Sequence, residues 1–210
     1  MSIAILGTGN MAKGLAGVFD AAGYDVVIGS RDPLRAAETA RTIGPRVAGT
    51  GLAEAAAGAD TIVLAVPFDG VADVLAAAGD LSGKVVIDIT NPLTADYAGL
   101  TIGHSTSAAE EIARLVPGAR VVKAFNTVFA GVLQAGGKLG GQPVTVFVAG
   151  DDETANAAVE AIAARAGFAV QQAGALARAR YLEPVAGLNI ALGYFQGLGT
   201  DIAPTWQKAA

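Results

Sequence analysis

The sequence predicts an α/β fold, doubly wound around a parallel sheet, and three observations carry that prediction. Short apolar runs alternate with helix-patterned stretches through the first half of the chain, the order that a parallel sheet with crossover helices requires. The first run, Ser2 to Leu6, passes directly into Gly7, Thr8, Gly9, Asn10, Met11 and Ala12, a GxGxxA turn between strand and helix. Runs such as Asp60 to Val66 are apolar almost throughout, as strands covered on both faces are.

Taken in order, Met11 to Ala22 reads as the first helix, closed by Gly23, and Tyr24 to Ser30 as the second strand, which completes a βαβ unit. Asp32 and Pro33 suit the N-cap and first helical position of a helix through Arg41, ended by Gly44 and Pro45. A short strand near Arg46 to Ala48 and a helix near Leu52 to Ala57 lead to the strand Asp60 to Val66, stopped by Pro67. Helix Val71 to Ala78, strand Lys84 to Ile89, helix Ser107 to Leu115 and strand Arg120 to Phe125 continue the alternation. Val144 to Ala149 is a further strand, Asp152 to Ala166 a helix and Phe168 to Gln171 a last short strand.

Ala175 to Gly199 contains long helical segments, with Pro184 as a start or kink. Its most apolar part, Pro184 to Gly199, is interrupted by Asn189 and Gln196 and falls short of the roughly 20 apolar residues that span a bilayer. It reads as a buried helix whose Gly187, Gly193 and Gly197 allow close approach, either to the body or to a second copy in a homodimer. No linker or repeat interrupts the chain. A single dinucleotide-binding body over residues 1–210 is expected, with a core over about 1–125 and a small C-terminal α/β and helical extension over about 126–210 that completes a substrate cleft.

Composition narrows the function. Fourteen Lys and Arg against nineteen Asp and Glu leave a net charge of −5, which argues against broad binding to nucleic acid or anionic membrane. The absence of cysteine excludes disulfides, thiolate catalysis, zinc-cysteine sites and iron-sulfur clusters held by this chain. No His, Asp and Glu set has metal-ligand spacing. The start lacks the basic and long apolar regions of a secretory signal, so a cytoplasmic location is expected.

In the GxGxxA turn, Gly7 permits the bend, Gly9 lets the backbone approach a pyrophosphate, and Ala12 lets helix and strand pack closely. The helix amide groups and dipole then face the phosphates. Versions of this arrangement that bind NAD place an acid at the end of the second strand to hold the ribose hydroxyls. Here that place reads Gly29, Ser30, Arg31, and a hydroxyl with a guanidinium suits a 2′-phosphate instead, with Arg35 one helical turn on adding charge. Asp32, directly before Pro33, is better read as a cap than as a ribose acid. The cofactor expected is therefore NADP(H). Three further strand ends, Val66-Pro67-Phe68, Thr90-Asn91-Pro92 and Phe125-Asn126-Thr127 with Ala124 before it, are candidates for holding the second ribose and the carboxamide.

The segments GTGNMAKGLA, IGSRDP, AVPF, DITNP, VVKAFNT, FVAGDD and LEPVAGLNIAL together resemble the NADPH-dependent reductase family named for the deazaflavin coenzyme, factor 420, over nearly the whole chain. VVKAFNT is also similar to the oxidoreductase domain of the STEAP metalloreductases. The resemblance implies a Rossmann-type body and NADPH bound through the glycine loop and the Ser-Arg turn. A second planar ring would stack near the nicotinamide. By position, Thr8, Gly9, Asn10 and Met11 would cover the phosphates, and Ser30, Arg31 and Arg35 would hold the 2′-phosphate. The chain departs from the deazaflavin enzymes at Phe125-Asn126-Thr127, where those carry a His-containing segment, which leaves the acceptor open between factor 420 and a flavin.

Hydride transfer between two ring cofactors needs orientation more than a protein acid, so a site sparse in titratable groups is expected. His104, Lys123 and Asn126 are the weak catalytic candidates; Lys123 could face the cleft or cap the sheet edge. Tyr97, Tyr181 and Tyr194 are possible proton donors, and Phe68, Phe125 and Phe129 could wall a planar ring or, as aromatic side chains more often do, sit in the core. Glu110 and Glu111 read as helix-dipole partners. Two other functions compete: reduction of a small carbonyl or imine by NADPH, and non-catalytic sensing of NADP(H).

Overall fold

The computed structural model describes residues 2–206 and assembles eight strands into one sheet. The first half comprises β1 (Ser2–Leu6), α1 (Asn10–Ala21), β2 (Asp25–Ser30), α2 (Pro33–Arg41), β3 (Val47–Gly51), α3 (Leu52–Ala57), β4 (Thr61–Leu64), α4 (Val71–Ala78) and β5 (Val85–Asp88). The second comprises α5 (Ala108–Leu115), β6 (Arg120–Lys123), α6 (Ala130–Gln134), β7 (Lys138–Leu139), β8 (Gln142–Pro143), β9 (Thr145–Gly150), α7 (Glu153–Arg165), β10 (Ala169–Gly174) and α8 (Ala179–Ile190). The strand order is β3-β2-β1-β4-β5-β6-β9-β10.

Strands β1 to β6 pair in parallel, and the winding reverses between β1 and β4, which opens a crevice at the carboxyl ends of these strands. The sheet is not parallel throughout. β9 runs antiparallel to β6, and β10 returns parallel to β9 through α7, so the extension adds an inverted βαβ unit to the same sheet. The β7–β8 hairpin and α6 are too short to leave a periodic signal in the sequence, and neither was expected from it.

Alternation along β1 sends its side chains to two cores. Ile3 and Ile5 pack with Leu15, Phe19, Val63, Ile87 and Val122 under α1 and α7, while Ala4 and Leu6 pack with Leu52, Ile62, Leu75, Val86 and Ile112 under α3, α4 and α5. Helix starts are fixed locally. The Asp32 carboxylate accepts from the N–H groups of Leu34 (3.0 Å) and Arg35 (3.2 Å), and Pro33 occupies the first helical position, so its role as a cap stands. Ser107 and Asp152 cap α5 and α7 in the same way.

The C-terminal segment is less buried than its composition predicts. Pro184 lies inside α8, which runs on to Ile190 and then widens into a π-helical turn over Ala191–Phe195. Leu188 (60%), Tyr194 (63%), Phe195 (54%) and Leu198 (60%) are solvent-exposed, while Asn189, which donates to the Thr127 carbonyl, and Gly193, beside the Phe129 ring, face the body. Among the described residues no helix is long and apolar enough to cross a membrane.

Candidate functional site

A cavity of about 840 Å³ lies at the carboxyl ends of β1, β4, β5 and β6. The strands stop before their apolar runs do: β4 ends at Leu64, β5 at Asp88 and β6 at Lys123. The chain beyond each end turns into the cavity wall, which is how Ala65, Val66, Ile89, Thr90 and Asn126 come to line it. The opposite wall is built by α8 and the turn after it, through Ala186, Asn189, Ile190 and Tyr194. A loop bridged between Leu93 and Leu100 brings Leu93, Thr94, Ala95, Tyr97 and Thr101 over the third side.

The glycine turn is shaped by two different demands. Gly7 adopts φ +137°, and a Cβ there would collide with the Ala65 carbonyl, so the fold itself requires glycine. Gly9 has an ordinary φ of −76°, and a Cβ there would meet no protein atom within 4 Å. Gly9 lines the cavity with Asn10 and Met11 at the start of α1, whose N-cap carries no side-chain hydrogen bond. Space without a side chain beside uncapped helix amides fits a pyrophosphate.

The other expected cofactor residues divide by location. Val66, Pro67, Asn91 and Asn126 line the cavity, and Thr8 is half-buried within the glycine turn. Ser30, Arg31 and Arg35 lie apart from the cavity wall, where β2 meets α2. The Ser30 hydroxyl accepts from the Asp32 N–H at 3.2 Å, while Arg31 and Arg35 are exposed and form no ion pair among the described residues. Pro92 and Ala124 are buried and do not line the cavity.

Asn126 is held in one orientation. Its amide nitrogen donates to Asn91 Oδ1 (3.0 Å) and to the Leu182 carbonyl (2.9 Å), while Asn91 Nδ2 donates to the Asn126 carbonyl (2.9 Å). Both amide hydrogens are thus used, and Oδ1 is left without a partner although the residue is 6% exposed. Thr90, 4% exposed, likewise has an unpartnered hydroxyl. Phe125 sets this turn at φ +60°, a conformation costly for a bulky side chain. Edge-to-face contacts with Phe19 (5.9 Å) and Phe168 (5.6 Å) hold its ring in the core, so Phe125 is no part of the cavity wall, whereas Phe68 and Phe129 are.

Lys123 neither faces the cleft nor caps the sheet edge. β6 is an interior strand, and Lys123 is fully buried between Asp88 and Glu183, each 2.8 Å from Nζ. Burial pushes the Glu183 carboxyl above its ordinary range, while Lys123 and the Ala108 N–H pull the other way. His104 sits exposed on a turn at φ +57°, off the cavity lining. Tyr97 and Tyr194 line the cavity and Tyr181 does not. Glu110 is paired to Arg180 and Glu111 to Arg114 at the start of α5, away from the lining.

The cavity wall is therefore apolar and aromatic with amides and hydroxyls between, and Asp69 at the rim is its one ionisable carboxylate among the described residues. Among those residues no group of three or more His, Cys, Asp or Glu forms a possible metal site. The sequence predicts that the C-terminal extension completes a cleft, but which side chains of α8 and of the 91–101 loop line the cavity follows from no spacing in it. They reach the site through packing across the sheet end, which local sequence does not encode.

Residues 2–92 match the family model described as NADP oxidoreductase, coenzyme F420-dependent. The chain is 35% identical to rat metalloreductase STEAP3 over 183 residues, which is 87% of this chain and 36% of the rat protein. It is 37% identical over 148 residues to the F420-dependent NADP reductase of Methanothermobacter thermautotrophicus, covering 63% of this chain and 64% of that protein. It thus spans about a third and just under two thirds of these relatives' lengths. A crystal structure from Arthrobacter sp. FB24, provisionally assigned as an F420-dependent NADP reductase, superposes with a TM-score of 0.85 at 32% identity, covering 94% of this chain and 96% of the other. With the glycine turn in place, the family model matched and a counterpart of equal extent, the chain belongs to the family of coenzyme F420-dependent NADP oxidoreductases.

Proposed function

We propose that the chain binds NADP(H) across the strand ends and transfers hydride between NADPH and a flat ring acceptor, either the deazaflavin F420 or a flavin. The glycine turn and the first turn of α1 take the pyrophosphate, and Ser30, Arg31 and Arg35 take the 2′-phosphate. The strand-end residues Val66, Pro67, Asn91 and Asn126 hold the nicotinamide half, while the buried Pro92 and Ala124 do not line the cavity and make no contact with it. NADPH supplies a hydride from its nicotinamide ring, and the acceptor takes the accompanying proton from solvent. The protein's part is to hold two rings in contact and in orientation.

The observation that carries this reading is the character of the cavity. It is large enough for the nicotinamide and a second ring, and Phe68, Tyr97, Phe129 and Tyr194 lie along it. Neither Lys nor His reaches it among the described residues, which disfavours protonation of a carbonyl or imine. The Tyr97 and Tyr194 hydroxyls and the Asp69 carboxyl are the groups on which that second reading would draw. The exposed Leu188, Phe195 and Leu198 support a homodimer formed through the C-terminal segment.

The test offers the purified protein NADPH or NADH together with F420, FMN, FAD, aldehydes and cyclic imines. Oxidation of NADPH by the ring acceptors alone is expected. Turnover with imines or aldehydes but no ring would replace this reading with carbonyl or imine reduction, and tight NADPH binding without any turnover would leave a sensor.

A further inference from the structure

We propose that Lys123 is a positioning residue that fixes the strand-end wall of the cavity against the α8 wall, and so sets the contact between nicotinamide and acceptor without exchanging a proton. The proposal rests on the hydride-transfer reading above.

Lys123 closes β6 with its side chain wholly buried. Nζ donates to Asp88 Oδ2 (2.8 Å), lies 2.8 Å from Glu183 Oε1, and donates to the Thr90 carbonyl at 2.5 Å. An ammonium has three hydrogens, and here each has an oxygen, so none remains for a ligand. The partners come from both walls. Asp88 also accepts from the Thr90 N–H at 2.8 Å, which fixes Thr90 and Asn91 at the cavity. Glu183 belongs to α8 and accepts from the Ala108 (3.0 Å) and Ala109 (3.3 Å) N–H groups at the start of α5. One turn beyond Glu183, Ala186 lines the cavity, followed by Asn189 and Ile190.

Burying three ionisable groups is expensive, and apolar side chains of similar volume commonly hold a fold as well. What an apolar cluster lacks is direction. The ammonium places three oxygens from β5, the turn after it and α8 at fixed distances. Two neutral bonds repeat the bridging nearby, Asn126 Nδ2 to the Leu182 carbonyl at 2.9 Å and Asn189 Nδ2 to the Thr127 carbonyl at 3.2 Å. The gap between these walls is where two rings must meet within reacting distance, and an error of about 1 Å there costs on the order of a hundredfold in rate.

The experiment compares wild type with Lys123→Met, Lys123→Met/Glu183→Gln and Glu183→Gln, using F420 and FMN as acceptors. The double variant removes the carboxylate charge that the lost ammonium would leave exposed to Asp88. Glu183→Gln keeps the Lys123–Asp88 pair and carries the test if the Met variants do not fold. In folded variants kcat is expected to fall about tenfold or more, with the NADPH dissociation constant changed less than about threefold. The pH profile should keep its shape, the deuterium isotope effect from 4-deuterated NADPH should rise, and the emission of bound NADPH should shift as α8 amide exchange accelerates. An unchanged kcat and unchanged NADPH emission beside faster α8 exchange would reduce Lys123 to a structural tie and overturn the proposal. Loss of an ionisation from the pH profile would overturn it in favour of proton transfer. A wild type that reduces neither acceptor defeats the hydride reading itself, and the positioning proposal with it.

Discussion

Two glycines two positions apart obey different physics, and the difference separates a residue that the fold requires from one that the proposed cofactor site would require. Gly7 is demanded by its own backbone and by the Ala65 carbonyl; Gly9 is demanded by nothing in the protein. Gly9→Ala should therefore leave stability within about 0.5 kcal/mol of wild type, since a poorer N-cap offsets a less flexible unfolded chain. On the proposed cofactor site NADPH affinity should fall at least about tenfold, because the new methyl would occupy the space assigned to the pyrophosphate. A melting curve and an NADPH titration on one sample check both. Arg31 supplies a second residue-scale prediction. It is exposed and unpaired among the described residues, so Arg31→Ala should weaken NADPH by about tenfold to a hundredfold through lost charge-assisted hydrogen bonds, with NADH nearly unaffected. Equal losses for the two cofactors would remove the 2′-phosphate assignment.

The elements meet through polar joints as well as apolar faces, and the joint between α5 and α8 has a pH signature. Arg180 on α8 makes a forked pair with Glu110 on α5, through Nε at 2.9 Å and Nη2 at 2.6 Å. That guanidinium, helped by the Ser107 hydroxyl, holds the Glu110 carboxyl below the usual glutamate range despite partial burial. Because the folded value is depressed, the stabilisation is fully present above the unfolded value near 4.5 and is lost as pH falls through the lower folded one. Arg180→Ala should lower the melting temperature by on the order of 2 °C at neutral pH, and the gap from wild type should begin to close as pH drops below 4.5. Thermal melts at pH 7, 5 and 3.5 measure it. A gap independent of pH would mean that packing of the Arg180 stem, and not the ion pair, joins the helices.

For the whole molecule, the residues that could be read in advance are those whose role is local. Asp32-Pro33 as a helix start, Gly7 as a turn and the strands beneath them depend on neighbours within a few positions, and the structure agrees with each. The strand-end tripeptides also announced the cavity, because a run of apolar residues stopped by proline or asparagine marks where a parallel strand leaves the sheet. Lys123 could not be read this way. Its two carboxylate partners lie 35 and 60 positions away in the chain, and nothing near Lys123 distinguishes a cleft lysine from a buried one. For Phe125 the sequence left cavity wall and core both open, core being the commoner place for an aromatic side chain, and only the fold shows its ring packed between Phe19 and Phe168, distant in the chain. By itself the amino-acid order determined the winding of the sheet, the glycine turn, the cap of α2 and the basic end of β2, all products of short-range sterics and hydrogen bonding. Tertiary structure alone decided the reversed β9–β10 edge, which side chains of α8 line the cavity, and the buried ion cluster, because each arises from packing between segments that no local pattern can bring together.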